Sequence, residues 1–167
     1  MPERLDAAAE GLFSSTMRNL QLEPCPPDHP DALALIAGSE AELSSIYPPE
    51  VRFAFSPREL VDAGARFVVA YLDGAPVACG GVAPMAGYGE LKRIYVAPQG
   101  RRQGLARRVV EALEVEARGR GLPLMRLETG EDSPDAIGLY TRLGYARRGP
   151  FGTYEENGSS VFMEKRL

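Results

Sequence analysis

The chain has 167 residues and a mass of 18.1 kDa, which is the size of one ordinary domain of about 100–200 residues. Its composition, 44% hydrophobic and 25% charged residues with 18 glycines and 14 prolines, excludes collagen, a coiled coil and wholesale disorder. No stretch approaches the roughly 20 apolar residues of a membrane span, and the amino terminus lacks a secretory signal pattern. We therefore expect a cytoplasmic protein with no membrane partner.

The residues that build disulfides and metal sites are scarce in this sequence. Cys25, Cys79 and the single histidine, His29, form neither a disulfide framework nor a set of ligands for structural zinc. We expect reduced thiols and no metal. The formal net charge of −4 argues against a nucleic-acid partner, because domains that bind nucleic acid usually carry a large basic excess.

The predicted elements alternate between strands and helices along most of the chain. Residues 1–16 show little hydrophobic periodicity and are interpreted as an N-terminal extension of a domain over residues 17–167. In chain order we predict a strand over 18–24, helices over 31–43 and 56–64, strands over 67–71, 76–82 and 90–96, a helix over 105–119, a strand over 122–128, a helix over 133–143, and strands over 144–148 and 160–165. This order predicts an α/β domain in which helices pack on a mixed sheet.

Two local signals in this series mark the start of a helix and a hairpin turn. Ser56, Pro57 and Glu59 supply the N-cap, the first-turn proline and the capping-box acid of a helix. Asp73 and Gly74 stand between two apolar runs, and both residue types tolerate a positive φ. These two residues therefore predict a tight hairpin turn.

Basic residues are concentrated between residues 90 and 108. In an acidic protein, six basic residues against one acidic residue indicate a local anion site. The alternative is a solvated helix face with ion pairs, because Glu111 lies within one turn of Arg107 and Arg108. The six basic residues are Lys92, Arg93, Arg101, Arg102, Arg107 and Arg108.

Residues 101–106, with the sequence RRQGLA, join a predicted strand to a predicted helix. The start of a helix presents free backbone N–H groups and the positive end of its dipole, which together favour a phosphate. Gly104 and Ala106 are small enough for close approach of a diphosphate, and two arginines supply charge at the rim. The alternative is a plain connection with chance arginines. The glycine patterns of Rossmann and P-loop proteins do not occur here.

Two motifs follow one another in the second half of the chain. One reads R-x-x-G-x-A at residues 101–106, and the other reads L-Y-x-x-x-G-Y at residues 139–145. Together they resemble the pyrophosphate loop and a later element of the GNAT superfamily of acetyl-CoA-dependent N-acetyltransferases, in particular its small bacterial members. The resemblance covers nearly the whole chain. It implies a mixed, mostly antiparallel central sheet with helices on both faces, and transfer of an acetyl group from acetyl-CoA to a primary amine of a small molecule or peptide.

The resemblance also implies groups that move protons. An alkylamine with a pKa near about 10.4 is almost entirely protonated at neutral pH, so a base must remove a proton before the amine attacks a thioester. Glu90 matches the family position of that base, Glu128 is its rival, and a base acting through ordered water is a third alternative. If the role of either carboxylate were structural, it would instead pair with Lys92, Arg93 or Arg126. Tyr140 matches the acid that protonates the departing thiolate.

The residues that the resemblance assigns to acetyl-CoA come from one strand, the loop after it and the start of a later helix. They are Ile94, Tyr95, Val96, Arg101, Arg102, Gln103, Gly104, Leu105, Ala106, Ser133 and Tyr140. The strand backbone is expected to pair with the pantetheine and to polarise the acetyl carbonyl through an N–H group. Ser133 is a departure from the pattern, because many relatives carry asparagine at that position.

The acceptor is expected to contact the segments least like the family core. The candidates are Tyr47, Arg52, Phe55, Glu128 and Tyr154. Arg52 would suit an acidic group on the acceptor, although an arginine on the surface is the ordinary alternative. The expected partners are acetyl-CoA and an amine, and dimers are common among relatives. The alternative function is a non-catalytic module that binds acyl-CoA or acts in regulation.

Overall fold

The computed structural model describes residues 19–167, so the extension interpreted over residues 1–16 lies outside the described residues. The elements are β1 (Leu20–Pro24), α1 (Pro30–Ile46), α2 (Pro57–Asp62), β2 (Arg66–Leu72), β3 (Ala75–Met85), β4 (Tyr88–Val96), α3 (Leu105–Gly119), β5 (Leu124–Gly130), α4 (Pro134–Arg142), β6 (Ala146–Arg148) and β7 (Ser160–Arg166). Short 3-10 turns cover Pro49–Val51 and Pro98–Gly100. Each predicted helix and strand is present with its predicted type, and the ends differ by up to three residues.

The strands form one seven-stranded sheet in the order β1-β2-β3-β4-β5-β7-β6. Neighbouring strands are antiparallel except for β4 and β5, which run parallel. Asp73 and Gly74 form the predicted turn between β2 and β3, with φ of 50° and 84°. The prediction of a mixed, mostly antiparallel sheet with helices on both faces is confirmed.

Hydrophobic cores lie on both faces of the sheet. In β2, Val68 and Ala70 join the core that includes α3 and α4, whereas Phe67 and Val69 join the core beneath α1 and α2. This division follows from the two-residue period of a strand. None of the helices between residues 19 and 167 is long and apolar enough to cross a membrane.

A bulge interrupts the pairing of β3 with β4. Cys79 pairs with Tyr95 and Gly81 pairs with Lys92, so two residues of β4 lie opposite Gly80 alone. One of the two, Arg93, has a φ of 59°, in the left-handed region that side chains rarely adopt. The extra residue shifts the alternation, and Lys92 and Arg93 follow one another on the face that carries α1 and α2.

The parallel pairing of β4 with β5 is short. The two strands pair at Gly89 with Met125 and at Glu90 with Arg126, and no further pair follows. β5 continues to Gly130, where its other edge is paired with β7. The sheet therefore opens between its two central strands.

Gly80 lies on β3 opposite the bulge, and we expect this position to tolerate no side chain. A Cβ atom at Gly80 would lie 2.4 Å from Ile94 Cδ1 and 2.8 Å from Val109 Cγ1. We expect Gly80→Ala to lower the free energy of unfolding by about 1–3 kcal/mol, measured by urea denaturation. The control is Gly119→Ala in α3, where a Cβ meets no atom within 4 Å, and it should leave stability equal or slightly higher. Equal urea midpoints for the two variants would contradict this expectation.

Candidate active site

The opening between β4 and β5 forms a cavity of about 960 Å³, which we call the central cleft. Its walls are residues 91–96 of β4 and 127–130 of β5, and α4 and the end of α1 close its sides. Because β4 has no strand on the side that faces β5 here, the N–H and C=O groups on that edge are open to a ligand with amide groups, apart from the Val96 carbonyl, which accepts from Arg101 Nε.

One end of the central cleft is the start of α3. Gly104 is the N-cap of this helix, with a φ of 72°, and no side chain caps the helix start. Arg102 also has a positive φ, 63°. Within residues 19–167, no group accepts a hydrogen bond from the backbone N–H groups of Arg102, Gln103 or Gly104. Successive free N–H groups at a helix start form a concave site for an anion, which fits the diphosphate of coenzyme A.

The arginines around this turn differ in what they contact. Arg101 donates from Nε to the Val96 carbonyl at 3.1 Å and pairs through Nη2 with Glu42 of α1. Arg107 pairs with Glu111 at 2.7 Å, so the solvated helix face is the correct interpretation for that residue. Arg102 is exposed and has no ion pair or side-chain hydrogen bond with a described residue. The anion site therefore consists of backbone N–H groups, with Arg102 as its free cation within residues 19–167.

Tyr140 lines the central cleft from α4 and is 7% exposed. Its ring packs edge-to-face on Tyr145, with centroids 5.8 Å apart. Burial raises the pKa of the Tyr140 hydroxyl, so this group stays protonated at neutral pH. No described residue forms a hydrogen bond with it, and the hydroxyl is free to donate to a ligand.

Ser133 and Tyr47 meet at the side of the central cleft. The Tyr47 hydroxyl and Ser133 Oγ are 2.9 Å apart and share a hydrogen bond. The same hydroxyl lies so close to Gly130 that a Cβ there would be 1.9 Å away. Ser133, which is expected to contact acetyl-CoA, thus touches Tyr47, which is expected to contact the acceptor. Gly130 must lack a side chain for this contact to form.

Glu128 lies on the β5 wall of the central cleft. Burial raises the pKa of Glu128 to about 7, and the charge of Glu90 adds to this effect. A hydrogen bond of 2.7 Å from Ser160 Oγ and the charge of Lys92 act in the opposite direction. A carboxyl group with a pKa near neutrality can accept a proton and release it again under ordinary conditions.

Glu90 is held in a buried network. Its side chain is 3% exposed and pairs with Lys92 Nζ at 2.5 Å, while the Tyr154 hydroxyl donates to Glu90 Oε2 at 3.0 Å. Lys92 in turn donates to the Tyr154 hydroxyl at 2.7 Å and lies 4.2 Å from the centroid of the Phe55 ring. Removing one member of a buried pair leaves a charge without compensation, which costs about 3–5 kcal/mol. The network therefore holds the Glu90 side chain in one place.

A second cavity, of about 1020 Å³, lies on the other side of residues 52–54, and we call it the outer cavity. Glu90, Phe55 and Tyr154 line the outer cavity and not the central cleft. Residues 52–54 line both cavities. The exposed acids of the outer cavity are Glu50, Glu59, Glu155 and Glu156.

The structure brings most of the predicted site residues together in the central cleft. Those that line it are Ile94, Tyr95, Val96, Arg101, Arg102, Ala106, Ser133, Tyr140, Tyr47, Arg52 and Glu128. Gln103, Gly104 and Leu105 lie outside this lining, and Leu105 is buried in the core beneath α3. Within residues 19–167, no three His, Cys, Asp or Glu side chains come together as a metal site.

Lys92 and Arg93 were not among the site residues predicted from the sequence, where they belong to a basic run and are possible partners of Glu90 or Glu128. Both side chains are nearly buried, at 6% and 3% exposed, and both line the central cleft. The clustering of basic residues in this part of the chain was visible in the sequence. The placement of Lys92 and Arg93 on the same face of the sheet was not, because it depends on the bulge.

A sheet opened between two parallel strands, with an uncapped helix start at one end, has the shape and the hydrogen-bonding groups that an acyl-CoA-dependent transferase needs. The model of the acetyltransferase (GNAT) family matches residues 19–145, and the chain belongs to that family. It is an acyltransferase, and the fold is one that binds acyl-CoA.

Two curated relatives support this assignment. The chain is 41% identical over 135 residues to a protein of Azospirillum brasilense named IAA acetyltransferase, covering 80% of this chain and 88% of the relative. It is 31% identical over 123 residues to the uncharacterised N-acetyltransferase YsnE of Bacillus subtilis, covering 72% and 82%.

Solved structures agree with the fold. The structure of a Klebsiella pneumoniae protein described as an acyl-CoA N-acyltransferase superposes on this chain with a TM-score of 0.75. The two are 34% identical, and the match covers 89% of this chain and 97% of that chain. The PaiA N-acetyltransferase of Thermoplasma acidophilum, solved with coenzyme A, has a TM-score of 0.69 at 16% identity, over 89% and 99%. The second likeness shows the fold alone.

Proposed function

We propose that this protein transfers the acetyl group of acetyl-CoA to a primary amine of a small molecule or peptide. The observation that carries the proposal is that one cleft contains both Glu128, with a pKa of about 7, and Tyr140, whose hydroxyl stays protonated. One group can accept the proton of an ammonium, and the other can donate a proton to a leaving thiolate. The test is release of coenzyme A and mass-spectrometric detection of the acetylated product over a panel of amines.

In this proposal the donor lies along the opened edge of β4. The diphosphate binds at the start of α3, where the N–H groups of residues 102–104 are free. The pantetheine amides pair with the unpaired backbone of residues 94–96 as an added half-strand. This path brings the thioester between Glu128 and Tyr140.

The reaction then requires two proton transfers. Glu128 removes a proton from the acceptor ammonium, directly or through water, and the free amine attacks the thioester carbon. A backbone N–H of β4 stabilises the negative oxygen of the tetrahedral intermediate. The new C–N bond forms, the C–S bond breaks, and Tyr140 gives its proton to the sulfur. The tyrosine recovers a proton from solvent before the next turnover.

Glu128 fits the function of base better than Glu90, the family position chosen from the sequence. Glu90 is neutralised by Lys92, accepts a hydrogen bond from Tyr154, and lines the outer cavity. Glu128 lines the cleft that holds Tyr140. In our proposal Glu90 acts on the reaction through Lys92, whose charge lowers the pKa of Glu128.

The base is tested by the pH dependence of kcat/KM. Because Glu128 must be deprotonated, the rate should fall about tenfold per pH unit below a pKa of about 7. Glu128→Gln should remove the break near pH 7, so that the rate instead follows the fraction of free amine and rises up to the pKa of the amine, near about 10.4. Glu90→Gln should keep the limb and move it to lower pH, because the charge of Glu90 raises the pKa of Glu128. A break near pH 7 that persists in Glu128→Gln would reject Glu128 as the base.

The acid is tested by Tyr140→Phe. We expect kcat to fall about 100-fold with acetyl-CoA affinity nearly unchanged, because the hydroxyl acts on the leaving sulfur. The control is Tyr145→Phe, which removes a buried hydroxyl 3.0 Å from Glu114 Oε2, outside the cleft. That variant should lose stability and keep its kcat. An equal loss of acetyl-CoA binding in Tyr140→Phe would mean that the ring only packs.

The donor site is tested at Gly104. Gly104→Ala and Gly104→Glu share the strain of a side chain at a φ of 72°, and a Cβ there meets no atom within 4 Å. The glutamate adds a negative charge beside the diphosphate. By isothermal titration calorimetry, we expect its acetyl-CoA Kd to be about tenfold or more above that of the alanine variant, with the gap narrowing at high salt. Equal affinities would place the diphosphate elsewhere.

A further inference from the structure

Arg52 stands at the junction of the two cavities and has few partners for its charge. Its side chain is 23% exposed, and its Nη1 atom is 3.6 Å from Glu40 Oε2, too far for a good hydrogen bond. Its Nε atom is buried without a hydrogen-bond partner in the described part of the chain. No described residue accepts a hydrogen bond from this guanidinium.

Arg93 lies beside it in the same cleft and is also incompletely paired. It is 3% exposed, donates from Nε to the Phe55 carbonyl at 2.7 Å, and pairs through Nη2 with Glu40. Its Nη1 atom is buried and has no partner among the described residues. Two guanidinium groups therefore share one carboxylate, and that carboxylate is 47% exposed.

Two other cations of the central cleft, unlike the exposed Arg102 at the start of α3, are compensated by carboxylates. Lys92 is paired with Glu90, and Arg101 is paired with Glu42. The acids of the outer cavity form no ion pair with Arg52 in the described part of the chain. A buried donor without a partner costs about 1–3 kcal/mol, and more when it is charged. The wall formed by Arg52 and Arg93 thus has one positive charge in excess and two buried nitrogen atoms without a hydrogen-bond partner among the described residues.

Resting on the proposed function, we infer that the acceptor is a primary amine that also carries a carboxylate, as an amino acid does. The planar fork of Arg52 binds the carboxylate, and Arg93 supplies the second charge behind it. The amine of the same molecule then faces Glu128 on the opposite wall of the cleft. Arg52 is by this argument a residue that determines specificity.

Matched acceptors test this inference on the full-length enzyme. We compare phenylalanine with phenylalaninamide and phenethylamine, and leucine with leucinamide and isoamylamine, by release of coenzyme A at saturating acetyl-CoA. The amides keep the size of the amino acids and remove the negative charge. We expect kcat/KM for each amino acid to exceed that for its amide by about tenfold or more.

Variants at residue 52 identify the group responsible. In Arg52→Gln the ratio of amino acid to amide should fall to about 1, mainly through a higher KM for the amino acid. Arg52→Lys should give an intermediate ratio, because a point charge replaces a two-pronged contact. The control is Arg58→Gln: Arg58 is 84% exposed on α2, pairs with Asp62, and lines neither cavity. It should keep the wild-type ratio.

The outcomes separate this inference from the proposed function. Turnover of amines with no preference for the amino acid would overturn the inference and leave the acetyltransferase function intact. A preference that survives in Arg52→Gln would assign the carboxylate to another site and would also overturn it. Absence of turnover on every amine, with acetyl-CoA still bound, would reject the proposed function and the inference together.

Discussion

The structure depends on the separation of β4 from β5 after two paired residues. A central strand normally satisfies its backbone on both edges, and an unpaired buried edge is costly. Here the sheet remains intact because β3 holds one edge of β4 and β7 holds the far edge of β5. The separation leaves a space of about 960 Å³, and both the proposed acid, Tyr140, and the proposed base, Glu128, line it.

The charged groups around this space differ in whether a buried group has an ion-pair partner. Lys92 and Glu90 neutralise each other, so the pair adds little net charge and mainly fixes the side chains around it. Glu128 has no such partner at ion-pair distance among the described residues, and burial therefore brings its pKa close to neutrality. Glu128 can therefore exchange protons near pH 7.

Much of the fold could be predicted from the sequence because its signals are local. The helical repeat of Leu105, Val109 and Leu113, the capping box at Ser56 and the turn at Asp73 each act over a few residues. The site was predicted less completely, because its chemistry depends on contacts distant in the chain. The bulge that places Lys92 and Arg93 on one face and the contact of Tyr47 with Ser133 across 86 positions have no local signature. The ion pair of Glu90 with Lys92, two positions further along the same strand, was one of the alternatives that the sequence left open.

The unpaired edge of β4 also couples the fold to the metabolite it binds. In the binding mode that we propose, the donor lies along this edge and supplies hydrogen bonds that the polypeptide itself leaves unmade, so occupied molecules should resist denaturation more than empty ones. By mass action, a ligand present at 100 times its Kd adds about 2.7 kcal/mol to the free energy of unfolding. The resistance of this protein to heat and proteolysis should accordingly rise and fall with the cellular supply of acylated coenzyme.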